Sequence, residues 1–153
     1  EDFMTEQKNI EKFFQQSDVA VLGVSRSCKK FGNSILKDLK VKGWNVYPVN
    51  PNAGEIEGNK CYSDADSLPD EVKAAVLCIK PVETEKAVIQ LHRKGITNIW
   101  MQQGAESAEA IKYCEENGIN CIYDQCIMMF SEPVASIHKF HRWINKITGK
   151  LPK

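Results

Sequence analysis

The sequence predicts an open α/β sheet of parallel strands with helices on both faces, and three observations predict it. Continuous apolar runs at 19–23 (VAVLG) and 74–79 (AAVLCI) read as strands buried on both faces. Amphipathic helical patterns alternate with such runs along the chain. The helices stop at Gly43, Gly95 and Gly118, because glycine accepts the left-handed turn that closes a helix. Parallel strands joined by right-handed crossovers then give a Rossmann-like sheet with a strand order near 3-2-1-4-5-6.

The elements follow in order. Residues 5–15 read as a helix, with Ile10, Phe13 and Phe14 near its end. After strand 19–23 comes a helix over 34–42, with Ile35, Leu36 and Leu39 on one face. Residues 45–49 form the next strand, closed by Pro48-Val49-Asn50-Pro51. Cys61 and Tyr62 read as a very short strand. Strand 74–79 leads into a helix opened by Pro81, a residue tolerated in a first turn. Strand 98–101, helix 107–117 and strand 120–123 complete the sheet. Residues 131–147 open with Ser131-Glu132-Pro133, an N-cap followed by an early proline. Val134, Ile137, His141 and Ile144 then recur at helical spacing. The expected organisation is a helical segment over 1–18, a core over 19–130 and a helix over 131–153 packed on the same domain. Glu1, Asp2 and Phe3 before Met4 read as an appended remnant.

Composition narrows the function. The 153 residues suit one hydrophobic core. Lys plus Arg number 20 and Asp plus Glu number 20, a balance that argues against a duplex DNA or RNA binder. No apolar run approaches the roughly 20 residues of a membrane span, and the opening has no signal-peptide core. The six cysteines, Cys28, Cys61, Cys78, Cys114, Cys121 and Cys126, include no C-x-x-C pair and no partner histidine at zinc spacing. They read as reduced thiols of a cytoplasmic protein.

In an open parallel sheet, ligands bind beyond the carboxyl ends of the strands, where the strand order reverses. The loop after the first strand, Gly23 to Ser34, fits that place. Gly23 permits a tight turn, Ser25 adds a hydroxyl, and Arg26, Lys29 and Lys30 concentrate positive charge before a helix N-terminus. Together they suit a phosphate or pyrophosphate. Ser25 stands where a G-x-G-x-x-G fingerprint has its second glycine, and Asn50 stands where an NAD site wants an acid. An NADP-linked oxidoreductase with an atypical fingerprint stays as the alternative. Lys80-Pro81 offers a rigid wall beside a cation. Gln102, Gln103 and Gly104 suggest close backbone approach to a ligand, and residues 126–129 line the far edge. Cys28 and Cys126 are candidates for a mixed disulfide with a ligand thiol.

Taken together, the loops resemble a known family. G-V-S at 23–25, K-F-G at 30–32, P-V-N-P at 48–51, E-I-x-G at 55–58, K-P at 80–81, Q-G-A at 103–105 and C-I-M at 126–128 carry the resemblance. They are similar to the stand-alone CoA-binding proteins and to the CoA-binding domain of the succinyl-CoA synthetase α subunit. The resemblance implies coenzyme A or an acyl-CoA at the strand tips. Gly23, Val24 and Ser25 would face the phosphates, with Lys30 and Phe31 beside them. Asn50 and Pro51 would flank the nucleotide, Ile79, Lys80 and Pro81 would shape the wall, and Gln103 and Gly104 would close the far side. Lys80 departs from relatives that carry a small or apolar residue before the proline. The implied role is a non-catalytic binding or regulatory module with a small-molecule CoA ligand, not nucleic acid or membrane, as partner. The synthetases' phosphorylated histidine is expected outside this domain, and His92, His138 and His141 read as structural or solvated. No catalytic motif and no metal site is expected.

Overall fold

A computed structural model of the chain describes residues 3–130. The helix expected over 131–147, with His138 and His141, lies outside the described residues. Helix α1 (Phe3–Phe13) leads into β1 (Asp18–Leu22), α2 (Phe31–Val41) and β2 (Asn45–Val49). A small hairpin of β3 (Glu55–Ile56) and β4 (Asn59–Lys60) follows. Then come β5 (Ala74–Leu77), α3 (Pro81–Lys94), β6 (Asn98–Gln102), α4 (Ala108–Glu116), β7 (Asn120–Gln125) and a 3-10 turn at Ile127–Met129. Among the described residues, no helix is long and apolar enough to cross a membrane.

Five strands form one parallel sheet in the order β2-β1-β5-β6-β7. Tyr62 adds a single parallel bridge to Val49 on the β2 edge. The expected six-strand order is therefore present, with its third strand reduced to one residue pair. Two hydrogen bonds make that pair, Tyr62 N–H to the Pro48 carbonyl and Asn50 N–H to the Tyr62 carbonyl, each 2.9 Å. A turn at Asp64–Ser67, in which the Ser67 N–H donates to the Asp64 carboxylate at 2.9 Å, ends the strand at once.

Side chains alternate across the sheet, so the strands feed two cores. Val19, Val21, Val76 and Trp100 pack with Ile35, Leu36 and Leu39 of α2 and with Phe13 and Phe14 at the end of α1. Ala20, Ala75, Leu77, Ile99 and Met101 pack on the other face against Val88 and Leu91 of α3 and Ala110 and Cys114 of α4. Phe13 and Phe14 meet Trp100 edge-on, with ring centroids 5.4 and 5.8 Å away. Side chains tie α1 to β7 as well. The Asn120 amide donates to the Asn9 carbonyl at 2.9 Å and the Gln125 amide to Glu6 at 2.8 Å.

Several boundaries differ from expectation, and one hairpin is added. Helix α2 begins at Phe31, earlier than the apolar stripe implied, because its first turn is pressed onto the tip of β1. Strand β7 continues to Gln125, where the Trp100 indole N–H donates to the Gln125 carbonyl at 3.0 Å. The β3–β4 hairpin was not legible as strands. Its turn residues, Glu57 (φ 53°) and Gly58 (φ 76°), both take positive φ, the geometry that matches the twist of a two-residue hairpin. The buried Ile56 anchors it to the core.

Candidate ligand site at the strand tips

The strand order reverses between β1 and β5, whose strands stay parallel, and three backbones converge there. Gly23, just beyond β1, has φ 99°, and a Cβ on it would collide with the Cys78 carbonyl beyond β5. A Cβ on Gly32 would likewise collide with the Gly23 carbonyl. Both positions therefore demand glycine, the first for conformation and contact, the second for contact alone. The result seats the N-terminus of α2 directly on the switch point. The N–H groups of its opening residues, Phe31 and Gly32, have no acceptor within the helix, and the dipole adds a positive end.

A cavity of about 330 Å³ opens at this point, lined by Gly23, Lys30, Cys78, Ile79, Lys80, Pro81, Glu83 and Gly104. It lies at the lower end of the roughly 300–1,000 Å³ of small-molecule sites. The fold thus brings Gly23, Lys30, Ile79, Lys80, Pro81 and Gly104 together from three separate strand tips. Cys78 and Glu83 join them without having been singled out in the sequence. Lys30 and Lys80 hold equivalent places. Each is the extended N-cap residue of its helix, and neither makes a side-chain cap. Lysine is a poor N-cap, and its charge opposes the helix dipole. By contrast, α4 is capped in the ordinary way, with the Ser107 hydroxyl accepting from the Ala110 N–H at 3.1 Å. Two lysine-bearing helix starts without a side-chain cap thus border one cavity, with Glu83 as an opposing charge.

The remaining expected residues surround this cavity in different roles. Val24 is buried, and its carbonyl accepts from the Asn50 amide at 2.9 Å. The Asn50 oxygen in turn accepts from the Asn52 N–H at 2.7 Å, so both ends of the Asn50 side chain are engaged. Ser25 shapes the loop: its hydroxyl accepts from the Ser27 N–H at 3.1 Å and pairs with the Ser27 hydroxyl at 2.8 Å. Phe31 stays 51% exposed at the start of α2, an unusual place for a large apolar ring. Pro51 and Gln103 are exposed. Gln102, beside Gln103, is the buried member of the pair, and its side-chain oxygen accepts from the Ile127 N–H at 3.0 Å. That bond fastens the turn at residues 127–129, whose Ile127 joins the core beneath α2.

The thiols divide differently from expectation. Cys78 lines the cavity, whereas Cys28 and Cys126 are not among its lining residues. Burial pushes the Cys78 thiol up and the neighbouring Cys126 adds to this, while Lys30 acts in the opposite sense. Cys28 is exposed in a left-handed conformation (φ 60°). Its thiol is also held above the ordinary cysteine range, by desolvation within the loop and then by the Glu57 carboxylate. Raised thiols have less of the thiolate that attacks disulfides. His92 sits away from the cavity, paired with the Tyr113 hydroxyl at 2.8 Å between α3 and α4.

Comparison with known proteins adds an independent finding. A family model described as a CoA binding domain matches residues 17–132. An ADP-forming acetate–CoA ligase I of Archaeoglobus fulgidus is 29% identical over 143 residues, which is 87% of this chain and 21% of the ligase. The α subunit of ADP-forming acetate–CoA ligase II of Pyrococcus furiosus is 27% identical over 129 residues, 77% of this chain and 28% of that subunit. The chain thus spans only about a fifth to a quarter of these relatives. Among solved structures, a conserved hypothetical protein of Pyrococcus furiosus superposes with a TM-score of 0.71 at 38% identity. That match covers 74% of this chain and 98% of the other.

Proposed function

This chain belongs to the CoA-binding domain family, and from that premise we propose that it binds coenzyme A or an acyl-CoA at the carboxyl ends of its strands, as a binding or regulatory module. The observation that carries this reading is the cavity at the β1/β5 switch point with two lysine-bearing helix starts. Phosphates carry the cofactor's negative charge. They find N–H donors at the opening of α2 and cations at Lys30 and Lys80. Arg26 and Lys29, exposed in the same loop, raise the local concentration of an anionic ligand. Phe31 and Pro81 offer flat apolar surfaces beside the phosphates, suited to the adenine ring or the pantetheine arm. Because the cavity is small and open, the rest of the cofactor extends along the sheet edge past Gly104.

The chemistry proposed is reversible binding in which no covalent bond is made. Asn50 disfavours the dinucleotide alternative. A dinucleotide site wants a carboxylate for the ribose hydroxyls at the end of the second strand, and the neutral Asn50 stands there, bonded to Val24 and Asn52 within the protein. Calorimetric titration of the whole chain with CoA, acetyl-CoA and NADPH tests the assignment. Saturable binding of CoA or its thioester is expected. Heat from NADPH with none from either CoA form would overturn it.

A further inference from the structure

We infer that Asn33 and Glu57 form a clamp that positions the anion-binding loop between β1 and α2, with Glu57 acting on the ligand through the loop and not by direct contact. This inference rests on the proposed CoA site and concerns how its loop is held. Asn33 is fully buried in the first turn of α2. Its side-chain oxygen accepts from the Ser25 N–H at 2.9 Å, and its amide donates to the Ser25 carbonyl at 2.9 Å. One side chain therefore fixes both backbone polar groups of a loop residue eight positions earlier, as a neighbouring strand would. The second amide hydrogen goes to the Glu57 carboxylate at 3.2 Å.

The two Ser25 bonds set the orientation of the amide, and the third bond favours the same one. If the Asn33 side chain were turned end for end, its oxygen would face both the Ser25 carbonyl and Glu57, and its NH2 would face the Ser25 N–H. Only this arrangement pairs a donor with an acceptor at all three contacts, and Glu57 adds to the preference the Ser25 bonds already impose. The carboxylate reaches this place because the hairpin turn puts Glu57 at φ 53° while Ile56 is sunk in the core. Holding a bulky residue in that conformation costs energy, and a carboxylate near an anion site opposes the ligand. Lys37, 3.8 Å from the same carboxylate oxygen, offsets part of that charge. What Glu57 supplies in exchange is an acceptor, which a glutamine also carries.

The test uses the whole chain and four variants: Glu57→Gln, Glu57→Ala, Asn33→Asp, and Asn33→Asp combined with Glu57→Gln. Affinity is read by CoA titration, and loop order by amide exchange at Ser25 and Ser27 without ligand. Glu57→Gln should bind CoA as well as the parent or better. Glu57→Ala should weaken it roughly tenfold with faster loop exchange, the scale of one hydrogen bond to a buried group. Asn33→Asp should be weaker still, and adding Glu57→Gln should recover part of the loss, because the glutamine amide donates to the new carboxylate. A merely structural role predicts parallel losses of thermal midpoint without this rescue, and that result would overturn the clamp. Equal losses for Gln and Ala at position 57 would also overturn it, by showing that charge is what matters. If the parent chain binds no CoA, the functional reading fails, and loop exchange still decides the clamp.

Discussion

At the scale of single residues, the site is built from positions that are poor choices for stability. Gly23 and Gly32 give up side chains so that β1, β5 and α2 can touch. Lys30 and Lys80 occupy N-cap positions where serine, threonine or aspartate would stabilise the helices. Departures from local rules of this kind concentrate where a ligand compensates them. Lys30→Ala is therefore expected to weaken CoA binding by roughly 1–3 kcal/mol, the range of a charge-assisted contact. The same change should leave the thermal midpoint unchanged or slightly raised, because a cation is removed from the positive end of a helix dipole. Titration and thermal unfolding of one variant check both halves. Unaltered affinity would remove Lys30 from the site.

Elements matter through how their ends are fastened. Helix α2 is drawn to the switch point by glycine contacts and the Asn33 bonds, and the hairpin reaches it through Glu57. On the far side, Gln102 secures the turn at Ile127–Met129, which follows β7 and carries the buried Ile127. Gln102→Ala would leave the Ile127 N–H buried without that acceptor, at a cost of about 1–3 kcal/mol. Urea unfolding should show that loss, and exchange of the Ile127 amide should quicken. A variant with an unchanged midpoint and slow exchange at Ile127 would mean that apolar packing alone holds the turn.

For the whole molecule, the sheet separates two cores, and the aromatic one reaches across the longest stretch of sequence. Phe13 from the first helix contacts Phe14, Trp44 and Trp100. Phe13→Ala should therefore destabilise the entire domain by about 3–5 kcal/mol, not merely release α1. A single cooperative denaturant transition at a lower midpoint is expected; a first transition confined to α1 would show that the helix is an independent attachment. The zero net charge also conceals clusters along the chain. Lys30 and Lys80 follow the tips of β1 and β5, whereas Asp64, Asp66, Asp70 and Glu71 follow one another between Tyr62 and β5. The proposed anion site is compatible with overall neutrality because steering depends on local potential.

The order of elements, the parallel sheet and the CoA-binding family were legible in the sequence. Buried strands, amphipathic helices and glycine stops are local patterns, and local patterns survive in one dimension. The phosphate-binding role given to Gly23 to Lys30 rests on glycine and clustered cations, and it belongs to the proposal. The place of Cys78 and Glu83 on the cavity was not legible, nor was the exchange of roles between Gln102 and Gln103. Which face of a strand end a side chain takes depends on the twist and bulge of its neighbours. Asn33 left only a faint mark, a polar residue one turn before Leu36. Its partners lie 8 and 24 residues away. The sequence by itself determined the fold and the family. Tertiary structure alone decided which side chains hold that site in shape, because those bonds join segments that only folding brings together.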